Sequence, residues 1–418
     1  MAGLEEKLCP VCFQEAMEHG ECRNCGYHAE ESSAVKDYLA PFTILKEKYL
    51  LGKSLGQGGF GITYLAENMQ SGLRCCIKEY FPSGLLQGRT PDGALILADE
   101  ENRPEYEEGK QQFIEEACAL QELRENISVV DILDFFEENG TAYFAMELIE
   151  GCNLRVFRKN HNPKQTLKMA LQMLFLLGSS LAEVHRFGMI HGDISPENIL
   201  ITQDGEIKLI DFGAARSFRQ GSDNKERKIY LKPNYAPYEQ YTQKPCQGPW
   251  TDIYALAATF YFIVSGRKML DALSRAKGAS YPPLHELCPA VSRQLSDVID
   301  KALAFDYHDR YRRMLDFLDA LEQVVRPEDY DIDLGALMPK SKASKQAEIH
   351  VETSDDSEKM CQVEEQNMPE PKRLAAFFHP KKRRLAYLEL TMRKSGGHIS
   401  RRRWIIEPNR SGVWRRAT

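Results

Sequence analysis

The chain has no apolar run of the ~20 residues that a membrane-crossing helix needs, so nothing in it reads as a membrane span. Its start, MAGLEEKLCP, has neither the basic n-region nor the apolar h-region of a secretory signal, and a cytoplasmic location is expected. Internal repeats are absent. A strong overall charge is absent too: the formal net charge is −7 over 418 residues, which gives no sign of a nucleic-acid binder as a whole. Apolar residues make up 43% and charged residues 28%, ordinary values for a globular chain long enough for two or three domains. Cysteine is the residue in excess, at eleven. Cys75, Cys76, Cys118, Cys152, Cys246, Cys288 and Cys361 are scattered without pattern, as expected of buried thiols in a reducing compartment.

The other four cysteines form the segment CPVCFQEAMEHGECRNC. Cys9/Cys12 and Cys22/Cys25 are two C-x2-C pairs, and Gly26 after the second suits a tight turn. Four thiolates close a tetrahedral Zn²⁺ site, and such a site can fold a segment too short to build a core. Two disulfides or four free thiols are the alternatives. His19 and His28 lie nearby but are not needed to complete four ligands. With no ligand position left open, a structural or partner-docking role is expected of this zinc ribbon.

The most informative stretch is Ile190–Gly213, IHGDISPENILITQDGEIKLIDFG. A strand over Asn198–Thr202, an Asp204–Gly205 turn and a strand over Ile207–Ile210 predict a β-hairpin. Asp193, Asn198 and Asp211 then converge at one end of it. Two carboxylates and an amide there can hold divalent metal and orient a hydroxyl, as phosphoryl transfer requires.

Upstream, Gly56-Gln57-Gly58-Gly59-Phe60-Gly61 is a G-x-G-x-x-G between two strands. A dinucleotide fold would continue into a helix; here Ile62–Ala66 continues as a strand, so the glycines sit at a hairpin tip able to cover phosphates with backbone N–H groups. Lys78 ends the next apolar strand. Residues 83–109 read as an exposed insertion. A helix over Gln111–Leu123 follows, with Phe113, Ala117 and Leu120 facing inward and Glu116 on the same side, able to reach Lys78; Glu115 is the alternative. Val129–Glu137 and Thr141–Leu148 predict a hairpin around Asn139–Gly140. Met146, Glu147, Leu148 and Ile149 link onward to an amphipathic helix over Asn162–Phe187, whose Met169, Leu171, Met173, Leu174, Leu177 and Leu181 are expected in the core and whose His185 is expected to be structural. The polar segment AARSFRQGSDNKERKIYLKPNYAPYEQY has no periodicity and reads as a functional loop ending in Ala236-Pro237-Tyr238-Glu239. Asp252 opens an apolar helix to Ser265. Helices run on to about Val325, and Arg310 between two of them can pair with Glu239.

Residues 341–371 are acidic and poor in apolar residues, the composition of a disordered linker. From Lys372 the balance inverts: fourteen Lys and Arg stand against Glu389 and Glu407, a net of +12. Interleaved with Phe377, Tyr387, Trp404 and Trp414, these residues suit nucleic acid or anionic lipid head groups; docking on the chain's own acidic surface is the alternative.

In this order and spacing the motifs resemble the eukaryotic-type protein kinase fold, and KEYFP, DISPEN and APYEQY resemble a bacterial subgroup of serine/threonine kinases. The resemblance covers about two-thirds of the chain. It implies an α+β, two-lobed architecture, with a β-rich N-lobe of five strands and one key helix and a mainly helical C-lobe. The division expected is 1–28 zinc ribbon, 29–47 linker with some helix, 48–325 kinase domain, 326–371 acidic disordered linker and 372–418 basic tail. It also implies ATP between the lobes and a protein substrate. The glycine loop would cover the phosphates, Lys78 would contact the α- and β-phosphates, and Glu116 would hold Lys78. Glu147 and Ile149 would meet adenine through backbone groups, with Met146 as gatekeeper. Asp193 would orient the substrate hydroxyl and accept its proton, and Asn198 and Asp211 would bind Mg²⁺. Glu239 and Arg310 would anchor the activation segment, Asp252 would hold the catalytic-loop backbone, and His191, Phe212 and Leu120 would stack between the lobes.

Two departures stand out. Gly192 replaces the arginine that normally reads a phosphate on the activation loop, so control by phosphorylation at Ser217 or Ser222 is not expected. Ser195 replaces a lysine that usually contacts the γ-phosphate. The rival reading is an inactive kinase-like scaffold acting through the ribbon and tail; the complete Lys78, Glu116, Asp193, Asn198 and Asp211 set argues against it.

Overall fold

The computed structural model describes residues 8–14, 16–29, 37–58, 61–123, 128–212, 216–217, 231–242, 246–338, 387–393, 399–408 and 414–416. Two compact units contain them, Met1–Cys361 and Gln362–Thr418.

The first unit begins with a small ribbon, β1 (Met17–Glu18) paired with β2 (Glu21–Cys22). The N-lobe then builds one antiparallel sheet from β3 (Ile44–Leu45), β4 (Tyr49–Gln57), β5 (Gly61–Asn68) and β6 (Leu73–Tyr80). A small hairpin follows, β7 (Leu86–Arg89) with β8 (Leu95–Leu97), and then the helix α1 (Arg103–Glu122). Strands β9 (Ile132–Glu138) and β10 (Thr141–Glu147) complete the sheet in the order β3-β4-β5-β6-β10-β9. Asn139 and Gly140 at the β9–β10 turn have φ of 55° and 74°. Both central residues thus have the positive φ of a type I′ hairpin.

In this lobe three boundaries differ from the sequence reading. The stretch expected as a linker up to residue 47 joins the N-lobe from Asp37: Leu39 and Leu45 are buried, β3 adds a sixth strand to the expected five, and residues 37–47 hold no helix. The 83–109 insertion is partly built in, because Arg89 pairs with Glu79, which is fully buried and also accepts from the Tyr64 and Tyr143 hydroxyls at 2.9 and 2.8 Å. Its end belongs to α1, which starts at Arg103 rather than Gln111; Pro104 suits the first turn, and Tyr106 is buried. Gly109 lets this helix cross Tyr80, since a Cβ there would lie 2.1 Å from the Tyr80 hydroxyl.

The C-lobe starts with β11 (Gly151–Asn153), α2 (Leu154–Asn160) and α3 (Pro163–Arg186). Asn162 caps α3 through a reciprocal box with Gln165, and all six core residues expected on α3 are buried. By length and composition α3 could cross a membrane, but half of its most apolar window is buried, and its buried face belongs to the C-lobe core. Next come β12 (Met189–Ile190), β13 (Ile199–Thr202), β14 (Ile207–Leu209) and β15 (Arg216–Ser217); β13 pairs with both β11 and β14, and β12 pairs with β15. The helices α4 (Pro249–Ser265), α5 (Ala272–Ala276), α6 (Leu284–Leu287), α7 (Arg293–Ala302) and α8 (Met314–Glu322) close the lobe.

The linker expected from residue 326 does not begin there. Arg326–Met338, including α9 (Pro327–Tyr330), folds back onto the C-lobe. Leu334 and Met338 are buried, the Tyr330 ring stacks on Phe175 at 4.6 Å, and Lys168 Nζ donates to the Glu328 and Asp331 carbonyls at 3.2 Å each. These apolar anchors make the difference; the acidic stretch 339–371 lies outside the described residues. In the second unit, β16 (Tyr387–Arg393), β17 (Ile399–Pro408) and β18 (Trp414–Arg416) form an antiparallel sheet with β17 in the centre, so the basic tail contains ordered strands.

Candidate active site

The β13–β14 hairpin and the loop before it bring the predicted residues together. The Asn198 carbonyl accepts from Ile210 N at 2.9 Å, which fixes the end of the hairpin. Asn198 Nδ2 donates to the Asp193 carbonyl and to Asp193 Oδ2, both at 2.8 Å. Burial pushes the Asp193 carboxyl up from its ordinary value, and the nearby Lys232 charge opposes that shift. His191 is fully buried and its pKa is lowered by burial. The neutral ring accepts from Asp193 N at Nδ1 (3.2 Å) while Nε2 faces the Ile210 carbonyl at 3.2 Å. Its ring lies 4.4 Å from that of Phe212, tilted at 58°, and Leu120 shares the same core cluster.

Asp252, buried at the first turn of α4, holds the loop from below. Its carboxylate accepts from His191 N at 2.8 Å, Gly192 N at 2.9 Å and His185 Nε2 at 2.8 Å. These bonds keep its pKa low against the cost of burial. The loop needs that restraint: Gly192 has a φ of 77°, a left-handed conformation that costs little only for glycine. Asp211, with a φ of 65°, has the same kind of backbone without being glycine, a strain that clusters at functional sites.

Lys78 on β6 reaches Asp211 rather than Glu116. Its Nζ bonds Asp211 Oδ1 at 2.7 Å, and the lysine charge holds the Asp211 carboxyl at about 2. Burial acts to lower the Lys78 pKa, but the charges of Asp211 and Glu116 outweigh it and raise the value. The sequence reading gave Glu116 the task of holding Lys78. In the structure Glu116 is the half-buried acid of α1 and Glu115 the exposed one, yet the enclosed Glu116 Oε1 has no hydrogen-bond partner. Burial pushes its carboxyl up to about 8, against the pull of Lys78. Glu116 therefore stands beside the Lys78–Asp211 pair as a second acid.

Lys78, Asp193, Asn198 and Asp211 line a cleft of about 840 Å³ between the lobes. Its roof includes Gly56, Gln57, Gly58 and Gly61; Gly59 and Phe60 lie outside the described residues. Gly61 is required by close approach, since a Cβ there would lie 2.4 Å from the Glu79 carbonyl. Met146, Glu147, Leu148 and Ile149 line the back. The Glu147 side chain points away into a pair with Lys208 at 3.0 Å, so backbone rather than carboxylate is what this stretch can offer a ligand.

On the C-lobe side, Arg310 and Glu239 form a two-pronged buried pair at 2.7 and 3.1 Å, and Thr251 Oγ1 also donates to Glu239 at 3.1 Å. Gln240 Nε2 donates to the Gly192 carbonyl at 2.8 Å and ties the same segment to the catalytic loop. Gln240 and Lys232 were missed by the sequence reading. Lys232 Nζ lies 2.8 Å from Asp193 Oδ2, but in the sequence it was one basic residue among several in an aperiodic loop. Of the two serines named there, Ser222 lies outside the described residues and Ser217 is described only by its backbone.

The cysteine cluster is a separate centre. The four sulfurs of Cys9, Cys12, Cys22 and Cys25 lie within 4.8 Å of one another, with Cys9–Cys25 and Cys12–Cys22 both at 3.6 Å. Those spacings exceed a disulfide bond and match the sulfur separation of about 3.8 Å across a tetrahedron with 2.3 Å Zn–S bonds. The ribbon rests on β4: Lys53 N donates to the Pro10 carbonyl at 2.9 Å, and a Cβ on Gly52 would lie 2.2 Å from that oxygen.

Comparison with known proteins agrees with this geometry. The family described as "Protein kinase domain" matches residues 49–319. Serine/threonine-protein kinase F of Synechocystis sp. is 31% identical over 286 residues, 64% of this chain and 53% of that protein. Serine/threonine-protein kinase PknA of Nostoc sp. is 29% identical over 289 residues, 67% of this chain and 48% of that protein. The chain thus spans about half the length of these relatives. A solved structure titled "PpkA-294 apo form" is 34% identical, is covered completely by 68% of this chain and superposes with a TM-score of 0.57. With its family match over most of the chain and its acidic, amide and lysine groups converging on one interlobe cleft, the chain belongs to the protein kinase family.

Proposed function

We propose that the chain transfers the γ-phosphoryl group of ATP to a serine or threonine hydroxyl of a protein. The observation that carries this reading is the convergence of Lys78, Asp193, Asn198 and Asp211 on a single cleft. Asp193 is placed to take the hydroxyl proton. Its backbone is fixed through His191, and Asn198 and Lys232 donate to its carboxylate. Lys78 supplies a fixed positive charge to the α- and β-phosphates, and the glycine loop covers them with backbone N–H groups. Met146, Glu147 and Ile149 offer the rear wall for adenine. The donor set of Asn198 and Asp211, all oxygen and hard, fits Mg²⁺, which when bound would neutralise charge on the β- and γ-phosphates. The low carboxyl pKa of Asp211 keeps it ionised for that role. Glu116, enclosed and unbonded at Oε1, is in place to be the counter-ion of Lys78 when Asp211 is otherwise engaged.

Incubation of purified chain with labelled ATP, Mg²⁺ and casein, beside Asp193→Asn, tests the reading. The wild type should transfer label and the variant should lose about 100-fold or more; equal rates would remove the enzymatic claim in favour of a scaffold. Activity independent of activation-loop phosphorylation is part of the same proposal, supported by Gly192 where a phosphate-reading arginine would stand. The Cys9, Cys12, Cys22 and Cys25 cluster is proposed to hold one structural Zn²⁺, with the ribbon as a docking site for a partner protein. The basic tail is proposed to meet an anionic partner, nucleic acid or lipid head groups. A cytoplasmic location fits the reducing environment that the free thiols imply.

A further inference from the structure

The catalytic loop has lost one cation, and the structure shows another in its neighbourhood. Lys232 belongs to the described end of the activation segment. Its Nζ donates to Asp193 Oδ2 at 2.8 Å and to Ser195 Oγ at 2.9 Å. Ser195 is fully buried, so the second contact pins the ammonium group against the floor of the loop. The backbone of Lys232 is fixed as well. Its carbonyl accepts from Tyr235 N and Ala236 N, both at 2.9 Å, and both of those residues are buried. Asn234 Nδ2 donates to the Met269 carbonyl at 2.7 Å, and Gln240 clamps the Gly192 carbonyl. Lys232 also lines the interlobe cleft together with Lys78, Asn198 and Asp211.

We propose that Lys232 is a catalytic cation of the transfer step, supplied by the activation segment in the place that Ser195 leaves vacant on the catalytic loop. The proposal rests on the kinase reading above and deepens it. In transfer, the substrate hydroxyl oxygen bonds to the γ-phosphorus and the bond from that phosphorus to the β,γ-bridging oxygen breaks. Its electron pair leaves on ADP, and the hydroxyl proton passes to the Asp193 carboxylate. A base works within about 2.6–3.2 Å of the proton it takes, and reacting atoms approach to about 3–3.5 Å. An ammonium group 2.8 Å from the accepting carboxylate oxygen is therefore about one contact from the γ-phosphoryl oxygens, where negative charge spreads during transfer. A lysine side chain needs only a small torsional change to span that gap while keeping its bond to Ser195.

The bland alternative is an ion pair that merely fastens the segment. It predicts a loss of stability and of substrate binding, without a selective loss of turnover and without rescue by moving the cation. The test uses the full chain, with kcat and KM for ATP and casein and the affinity for a fluorescent ribose-modified ATP measured side by side. Lys232→Met should lower kcat about 100-fold, the usual cost of removing one electrostatic stabiliser. Its nucleotide affinity and KM for ATP should stay within about threefold. Lys232→Arg should keep most of the activity. The exchange Ser195→Lys with Lys232→Ser should regain at least about tenfold over Lys232→Met, which also settles the matter if Lys232→Met folds poorly. Wild-type kcat in Lys232→Met, or an exchange variant no better than Lys232→Met, would overturn the assignment. If the wild type itself were no more active than Asp193→Asn, the kinase reading would fall instead.

Discussion

Replacing Asp252 with alanine should disable the catalytic loop without touching a group that meets substrate. The carboxylate is fully buried and accepts from two backbone N–H groups, His191 and Gly192, and from His185 Nε2. Alanine leaves those two N–H groups enclosed and unbonded. Each costs about 1–3 kcal/mol, so the two together cost about 4 kcal/mol. The left-handed backbone of Gly192 also loses its main restraint. For a domain of about 300 residues, about 4 kcal/mol corresponds to a melting temperature lower by about 6 °C. Differential scanning fluorimetry reads that shift. Activity measured well below the melting temperature reads the second consequence, a fall in kcat of about tenfold or more as Asp193 loses its fixed position, since about 1.4 kcal/mol of misplacement already costs tenfold. Asp252→Asn keeps one acceptor and should fall between. A melting shift below about 3 °C with normal kcat would refute the idea that this carboxylate holds the loop.

Metal analysis of the purified chain should find about one zinc per molecule. Cys12→Ser or Cys25→Ser should release it and lower the stability of the ribbon, and less than about half an equivalent in the wild type would count against the site. Alanine or aspartate at Ser217 and Ser222 should leave transfer to casein nearly unchanged, because Gly192 carries no side chain to read a phosphate; a tenfold or larger drop on alanine substitution would contradict this.

Much of the site was legible because its residues sit in short local patterns. The Asp204–Gly205 turn set the β13–β14 hairpin, and that hairpin alone brings Asn198 and Asp211 near Asp193. Asn162 and the apolar spacing after it marked α3. Asp252 and Glu239 could be given roles from their motifs, and both make the contacts those roles need. What escaped depended on contacts distant in sequence. Arg89 and Glu79 look like two surface charges until the β7–β8 hairpin folds one onto the other. Tyr330, Leu334 and Met338 are too sparse to announce a packed segment, and only the folded C-lobe gives them partners: Phe175 for Tyr330 and the core cluster for Leu334 and Met338. Lys232 had no periodic context at all, and its meaning comes from the loop it touches. Helical spacing put Glu116 on the enclosed side of α1 and Glu115 on the exposed side, but the lysine that Glu116 was expected to hold is turned to Asp211.

The segment beyond α8 bears on how the catalytic unit should be cut. Gly205 at the tip of the β13–β14 hairpin faces Gly335 so closely that a Cβ on Gly205 would lie 2.3 Å from Gly335 N. A Cβ on Gly335 would in turn lie 2.8 Å from the Asp204 carbonyl. Two glycines back to back leave no room for anything but this strap. A fragment ended at residue 319, where the family match stops, would sever α8 inside its last turn and discard the strap with it. The hairpin that carries Asn198 and Asp211 would then present a bare, glycine-floored notch to solvent. The smallest faithful kinase-fold fragment therefore ends no earlier than Met338, and any segment competing for that notch would be pressing on the back of the candidate site.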